Sequence, residues 1–207
     1  AANQGYTIEL NHLFMKLAQT VSKLIKENLG ISIFLLWFLF ILLPRPLFDL
    51  PVSPVLLDNK EQLLGAKIAT NGQWHFHETD SVSYKFKRAL LHYEDRNFYN
   101  HIGVDPKGIA RAFLSNIKHK RRQGGSTISM QIARMSNSKG QRTYLKKIKE
   151  IIFSIRLELS YSKKKILKIY ASNAPFGGNI IGIEAASWRY FGKPHTGLSW
   201  SESAMLA

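Results

Sequence analysis

The chain reads as a mainly helical domain with one small β hairpin and an N-terminal membrane helix. Three observations predict this. Helical periodicity dominates from Ser83 to the end, short apolar runs alternate with turn residues over 49–80, and residues 29–43 form an almost unbroken apolar run.

Length and composition set the outer bounds. With 207 residues, one domain of ordinary size and an appendage are expected. Cysteine is absent, which excludes a disulfide framework, a thiol nucleophile and a cysteine-ligated metal. The 29 Lys and Arg against 14 Asp and Glu leave a net charge of +15, which calls for an anionic partner. Nucleic acid, acidic lipid headgroups and a pyrophosphate-bearing substrate all satisfy that charge. Soluble nucleic-acid binding fits worst, because the 29–43 run is apolar and no aromatics interleave with the basic tract at 118–122.

Residues 1–28 are polar, carry Lys16, Lys23 and Lys26, and are expected to be a cytoplasmic segment. There is no initiating methionine, so the sequence is expected to be a fragment at its start. Over 29–48, hydrophobicity on all sides, flanking lysines, Trp37 and the stop at Pro44-Arg45-Pro46 predict a transmembrane anchor; a buried core helix is the competing reading. The preceding lysines place the remainder of the chain outside. A cleaved signal peptide is disfavoured, since no small-residue cleavage site follows.

Residues 49–82 read as a linker and a hairpin, with strands over 52–57 and 63–69 and Asp58-Asn59-Lys60 turning between them. Asn71-Gly72 marks a second turn, leading into Trp74-His75-Phe76-His77. No ligand cluster accompanies these two histidines, and no metal is expected there. Residues 83–207 form the helical domain. Its helices are expected over 85–97, 106–120 with Pro106 in the first turn, 126–135, 144–159, 163–170 capped by Ser162, 180–190, and from 199 onward. The last of these lacks a C-cap, so the native chain is expected to continue past 207.

Chemistry concentrates between Leu90 and Gly103. Glu94 ends the apolar stripe of Phe86, Ala89 and Leu90, and partial desolvation there suits a general base. Asp95 is placed to accept hydrogen bonds from backbone or from Arg96. Taken alone, Glu94-Asp95-Arg96 also reads as an exposed turn. Gly124-Gly125-Ser126-Thr127 opens a helix whose free amides and dipole would attract a phosphate or a sugar carboxylate; an ordinary capped start is the plainer reading. The tract Lys118-His119-Lys120-Arg121-Arg122 tips that choice toward an anion. Lys146, Lys147 and Lys149 precede Glu150, with Ile148, Ile151 and Ile152 expected on the buried side. Such lysines form either a solvated face or an electrostatic partner for a leaving pyrophosphate, with Glu150 positioning one of them or binding substrate. Two separated carboxylates also suit a glycoside hydrolase, but the basic helices favour transfer from a donor that departs as pyrophosphate.

Four motifs stand in order: Glu94-Asp95-x-x-Phe98-x-x-His101-x-Gly103, Gly124 to Gln131, Lys146-Lys147-Ile148-Lys149-Glu150, and Lys165 to Tyr170. From about residue 52 to the end, this series resembles the peptidoglycan glycosyltransferases, glycosyltransferase family 51, the transglycosylases of penicillin-binding proteins. Met130 before Gln131, Ala174-Pro175-Phe176-Gly177-Gly178, and Ala185-Ala186-Ser187-Trp188-x-Tyr190-Phe191-Gly192 resemble the 1C-type branch.

The resemblance implies a lysozyme-like, two-lobed transglycosylase domain with a membrane-associated jaw near residues 109–122. It implies lipid II as substrate, polymerised with inversion into β-1,4-linked glycan while undecaprenyl pyrophosphate is released. Glu94 matches the catalytic base, and Glu150 is the second catalytic candidate. Asp95, Phe98 and His101 would shape the cleft; Ser126, Thr127, Gln131, Arg134, Lys146, Lys147 and Tyr170 match further substrate-binding positions. Lys146 replaces the usual arginine, keeping the charge but losing a planar fork. Ala171-Ser172 replaces the usual leucine-asparagine pair. No cofactor is required, and at most a loosely held divalent cation (Mg or Mn) would bridge the substrate. The implied partners are lipid II, the growing glycan strand, the bacterial cytoplasmic membrane and other cell-wall synthesis proteins, with no nucleic acid. A catalytically weak or inactive membrane-anchored module that binds lipid II or anionic lipid is the alternative.

Overall fold

The computed structural model describes residues 15–16, 19, 22–23, 26–41, 47–60, 62–119, 124–136 and 143–207. The chain divides into two compact units, Ala1–Leu43 and Pro44–Ala207.

The first unit contains helix α1, Leu29–Ile41, apolar on every side. Its described large side chains, Leu29, Ile31, Ile33, Phe34, Leu36 and Trp37, are all at least half exposed. At 1.5 Å per residue the helix is about 20 Å long, against a hydrocarbon core of about 30 Å. Among the described residues, no helix is long and apolar enough to cross a membrane. The anchor expected over 29–48 includes residues 42–46, which lie outside the described residues.

The second unit is mainly helical with a small antiparallel pair, as expected for a lysozyme-like transglycosylase domain. Strands β1 (Val55–Leu57) and β2 (Leu63–Ala66) pair antiparallel. Asp58 makes their turn, its Oδ1 accepting the Lys60 and Gln62 amides at 2.8 and 2.7 Å. A second pairing was not legible locally: β3 (Trp74–His75) runs parallel to β4 (Ile180–Ile181). Residues 180–181 are therefore strand where a helix start was expected. Parallel pairing joins segments far apart in sequence, so no adjacent turn announces it. Phe76, Ile180, Ala185 and Ala186 close a small core over this pair, with Val55, Leu63 and Trp74 packed against it.

The remaining elements are α2 (Tyr84–Glu94), a 3-10 turn (Phe98–Asn100), α3 (Pro106–His119), α4 (Ile128–Ser136), α5 (Tyr144–Ser160), α6 (Lys163–Asn173), α7 (Ile183–Phe191) and α8 (Trp200–Met205). Their starts follow from capping residues. Ser83, Thr143 and Ser162 accept amides of the first turns of α2, α5 and α6, and Ser199 with Glu202 makes a capping box on α8. Helix α2 stops short of its expected end at 97, because the Asp95 side chain takes partners elsewhere in the fold.

Helix α4 is the centre of the packing. Ile128, Met130, Ile132 and Ala133 are all buried, and α4 packs against both α5 and α6. Phe86 and Leu90 bury the inner face of α2, which packs against α8.

The loop from Phe98 to Gly103 folds back onto α5. Gly103 has φ +83°, and a Cβ there would lie 2.6 Å from the Ser154 carbonyl group. Gly103→Ala therefore combines left-handed backbone strain with a backbone clash, and is expected to destabilise the unit by about 2–4 kcal/mol. An added Cβ at Gly124 meets nothing within 4 Å, so Gly124→Ala should stay within about 0.5 kcal/mol of the parent. Denaturant midpoints of the two variants check this contrast.

Candidate active site

Glu94 is the last residue of α2 and is half-buried. Its Oε2 accepts a 2.6 Å hydrogen bond from Gln131 Nε2 on α4. Gln131 Oε1 in turn accepts from the Tyr170 hydroxyl on α6 at 3.3 Å. Burial, and next the charge of Glu94, push the Tyr170 phenol well above its ordinary range, with Arg134 opposing them in part. Tyr170 thus remains a proton-bearing donor. Three helices hold one carboxylate in a fixed orientation.

Asp95 is 5% exposed and does a different job. Its Oδ2 accepts the Ile128 amide at 3.0 Å, and both oxygens accept from His101 Nε2, at 3.0 and 3.1 Å. The carboxylate therefore caps α4 from a distant segment. Arg96 turns away and donates to the His92 carbonyl at 3.0 Å. Thr127 completes the cap: its hydroxyl donates to Gly103 O at 2.6 Å and accepts the Met130 amide at 3.2 Å. Two of the α4 amides expected to be free for an anion are thus already occupied. Cation side chains, rather than this helix start, supply the positive potential of the site.

Phe98 and His101 support the cleft from behind. Phe98 is fully buried, with Lys163 Nζ 4.3 Å from its ring centroid. Lys163 also donates to His101 O and to Glu158, each at 2.8 Å. This lysine ties the start of α6 to the loop after Glu94.

Before these residues opens a cleft of about 710 Å³. Glu94, Asp95, Ser126, Thr127, Gln131 and Arg134, all expected from the motifs, line it. Lys147 stands beside it, its Nζ donating to Ser126 Oγ at 3.1 Å and to Glu150 Oε2 at 3.3 Å. Glu150 therefore faces Lys147 rather than Glu94. Lys146, half-buried, and Tyr170 are not in the lining. Of the tract 118–122, residues 120–122 lie outside the described residues.

Tyr93, Arg96, Asp105 and Arg111 also line the cleft and were not anticipated. Burial opposes ionisation of Asp105, but hydrogen bonds from the Gly108 amide and Asn97, nearby His101 and the Lys107 amide outweigh it and hold its carboxyl below the usual range. Asp105 directly before Pro106 is a helix-start signal that could have marked it. Gly108, Arg111 and Ala112 share one face of α3 at i, i+3, i+4, a spacing that could have placed Arg111. Gly125 permits the close approach of α3, since its Cβ would lie 3.0 Å from Ile109 Cα.

Ser172, where the resemblance leads one to expect asparagine, lies outside this cleft lining. Its hydroxyl accepts the Thr79 amide at 3.2 Å, and its carbonyl accepts from His75 Nε2 at 3.1 Å. It fastens the β3 segment to α6. Among the described residues, no group of three or more His, Cys, Asp or Glu is placed to hold a metal ion.

The sequence is also similar to those of known proteins. Over 166 residues the chain is 39% identical to penicillin-binding protein 1C of Escherichia coli K12, covering 79% of this chain and 21% of that protein. It is 39% identical over 129 residues to the biosynthetic peptidoglycan transglycosylase of Thiobacillus denitrificans, 62% of this chain and 56% of the relative. With the protein of that name from Pasteurella multocida it shares 34% identity over 177 residues, 85% of this chain and 72% of the relative. The chain thus spans only 21% and 56% of the first two relatives. The transglycosylase family model matches residues 61–207, the stretch that builds the Glu94 cleft, and the chain therefore belongs to the transglycosylase family.

Proposed function

We propose that this chain is a peptidoglycan glycosyltransferase that polymerises lipid II. The observation that carries the reading is the Glu94 carboxylate, held by Gln131 at 2.6 Å on the wall of a cleft that also presents Arg96, Arg111 and Arg134. A base beside clustered cations suits a reaction in which one substrate loses a proton and the other releases pyrophosphate.

Glu94 takes the proton from the 4-hydroxyl of the incoming lipid II. That oxygen attacks the anomeric carbon of the growing glycan, forming the β-1,4 bond with inversion as the bond to undecaprenyl pyrophosphate breaks. Arg134, Arg111 and Lys147 neutralise the charge that gathers on the leaving group, and Glu150 keeps Lys147 aimed toward Ser126. Asp95, Phe98 and His101 hold the cleft in shape. No cofactor enters. The cleft carboxylates of Glu94, Asp95 and Asp105 are engaged by Gln131, by Ile128 and His101, and by Asn97, so a divalent cation, Mg or Mn, would be held by the substrate.

The reading extends to topology. Residues 83–207 form the two-lobed catalytic domain, 49–82 the linker and hairpin, 29–48 a single-pass anchor, and 1–28 a cytoplasmic segment. Catalysis then takes place on the outer, periplasmic face of the bacterial cytoplasmic membrane, beside other cell-wall synthesis proteins. The apolar surround of α1 supports this placement.

Glycan formation from labelled lipid II in detergent tests the function, with polymer expected from this chain. Lipid II bound without any polymer would replace the transferase with a binding module. Full rate in chelator would remove the bridging cation.

A further inference from the structure

Tyr93 directly precedes Glu94 on α2, and its side chain is 79% exposed. A lone exposed ring is common on a protein surface and needs no explanation by itself. This one, however, lines the cleft, and among the described residues it is the only aromatic ring that does so. The other described lining residues are charged, polar, glycine or alanine. Nor does the fold use the ring. Tyr84 and Tyr99, also exposed, each lie against another aromatic ring, at centroid distances of 6.1 and 5.2 Å. Among the described residues the Tyr93 side chain has no such neighbour, and its hydroxyl has no hydrogen-bond partner.

Helix geometry sets what Tyr93 and Glu94 can hold together. Consecutive Cα atoms are about 3.8 Å apart, and their side chains diverge by about 100° around the helix axis. Both line the cleft, so the ring and the carboxylate form two sides of one corner of it. A molecule seated in that corner meets a proton acceptor on one side and a flat apolar surface on the other. A pyranose ring has the matching surfaces, with hydroxyls around its edge and C–H groups on its face. The polar wall can meet the hydroxyls, but burying the C–H face needs an apolar partner. Arg96, Arg111 and Arg134 suit phosphate instead.

We infer that the Tyr93 ring stacks on the C–H face of the acceptor sugar, and so selects the orientation in which the 4-hydroxyl of that sugar faces Glu94. This deepens the proposed transferase reading and rests on it. The ring touches a part of the sugar that does not react, so the contact is the same before and during bond formation. Such a contact lowers KM and leaves kcat unchanged.

Tyr93→Phe keeps the ring, and Tyr93→Leu keeps apolar bulk without it. Because the side chain is 79% exposed, neither should move the unfolding midpoint. In polymerisation from labelled lipid II, Tyr93→Leu should raise KM about 5–10-fold, the size of one aromatic stacking contact, with kcat within about twofold of the parent. Tyr93→Phe should match the parent. A second readout needs no turnover. On lipid II bound to the Glu94→Gln chain in detergent, the C–H protons of the sugar that bears the 4-hydroxyl should shift upfield in the NMR spectrum, displaced by the ring current. The shift should persist when Tyr93→Phe is added and vanish when Tyr93→Leu is added. The inference is overturned if these protons do not shift, if the shift falls on another part of lipid II, or if Tyr93→Phe loses as much as Tyr93→Leu. Polymer made by Tyr93→Leu at the parental KM defeats this inference alone. A Tyr93-dependent shift on a chain that makes no polymer defeats only the transferase reading.

Discussion

Glu94→Gln should lower glycan polymerisation from lipid II by about 100-fold or more, the scale of a lost general base. The substitution is nearly isosteric. Its amide oxygen can still accept from Gln131 Nε2, the bond that measures 2.6 Å with the carboxylate. What disappears is the capacity to take a proton. The helix end, the Gln131–Tyr170 relay and the cations around the cleft stay in place. Lipid II affinity and the unfolding midpoint should therefore change little while turnover collapses. Residual polymerisation near the parent rate would move the base elsewhere. Asp105 would then be the next carboxylate on the cleft wall to test.

Asp95→Ala should act on stability, and strongly. The carboxylate is buried and serves three donor contacts: one from the Ile128 amide and two from His101 Nε2. Truncation leaves the amide and the imidazole nitrogen buried without acceptors, and removes the link between the loop after Glu94 and the start of α4. Uncompensated buried polar groups of this kind cost about 3–5 kcal/mol in total. Asp95→Asn keeps one carbonyl oxygen for the Ile128 amide and should cost about half as much, since one satisfied donor is worth roughly 1–3 kcal/mol. Denaturant unfolding of the two variants measures the difference. An Asp95→Ala chain as stable as the parent would show that α4 does not depend on this remote cap.

These two adjacent carboxylates show where sequence reasoning reached and where it stopped. The motif series picked out both, and the sequence pattern placed Glu94 at the end of an apolar stripe in a helix expected to run to 97, whereas the helix ends at Glu94 itself. Nothing local separated a residue facing the cleft from one folded inward. That separation depends on Ile128, more than thirty positions away, whose amide claims Asp95. The same limit hid Arg111 and Asp105, which approach the cleft only because α3 packs closely over Gly125.

Capping residues, turn chemistry and periodicity are local, and they were sufficient for most element starts: Ser83, Ser162 and Ser199 before their helices, and Asp58 in the hairpin turn. The ordered motifs were sufficient for the family. Tertiary structure decided the rest. It set the parallel pairing of Trp74 and His75 with Ile180 and Ile181, the inward turn of Asp95 and His101, and the outward turn of Ile148 and Ile152. A helical pattern of period 3.6 specifies which side chains share a face. Which face is buried depends on the neighbours available, and α4 covers only one side of α5.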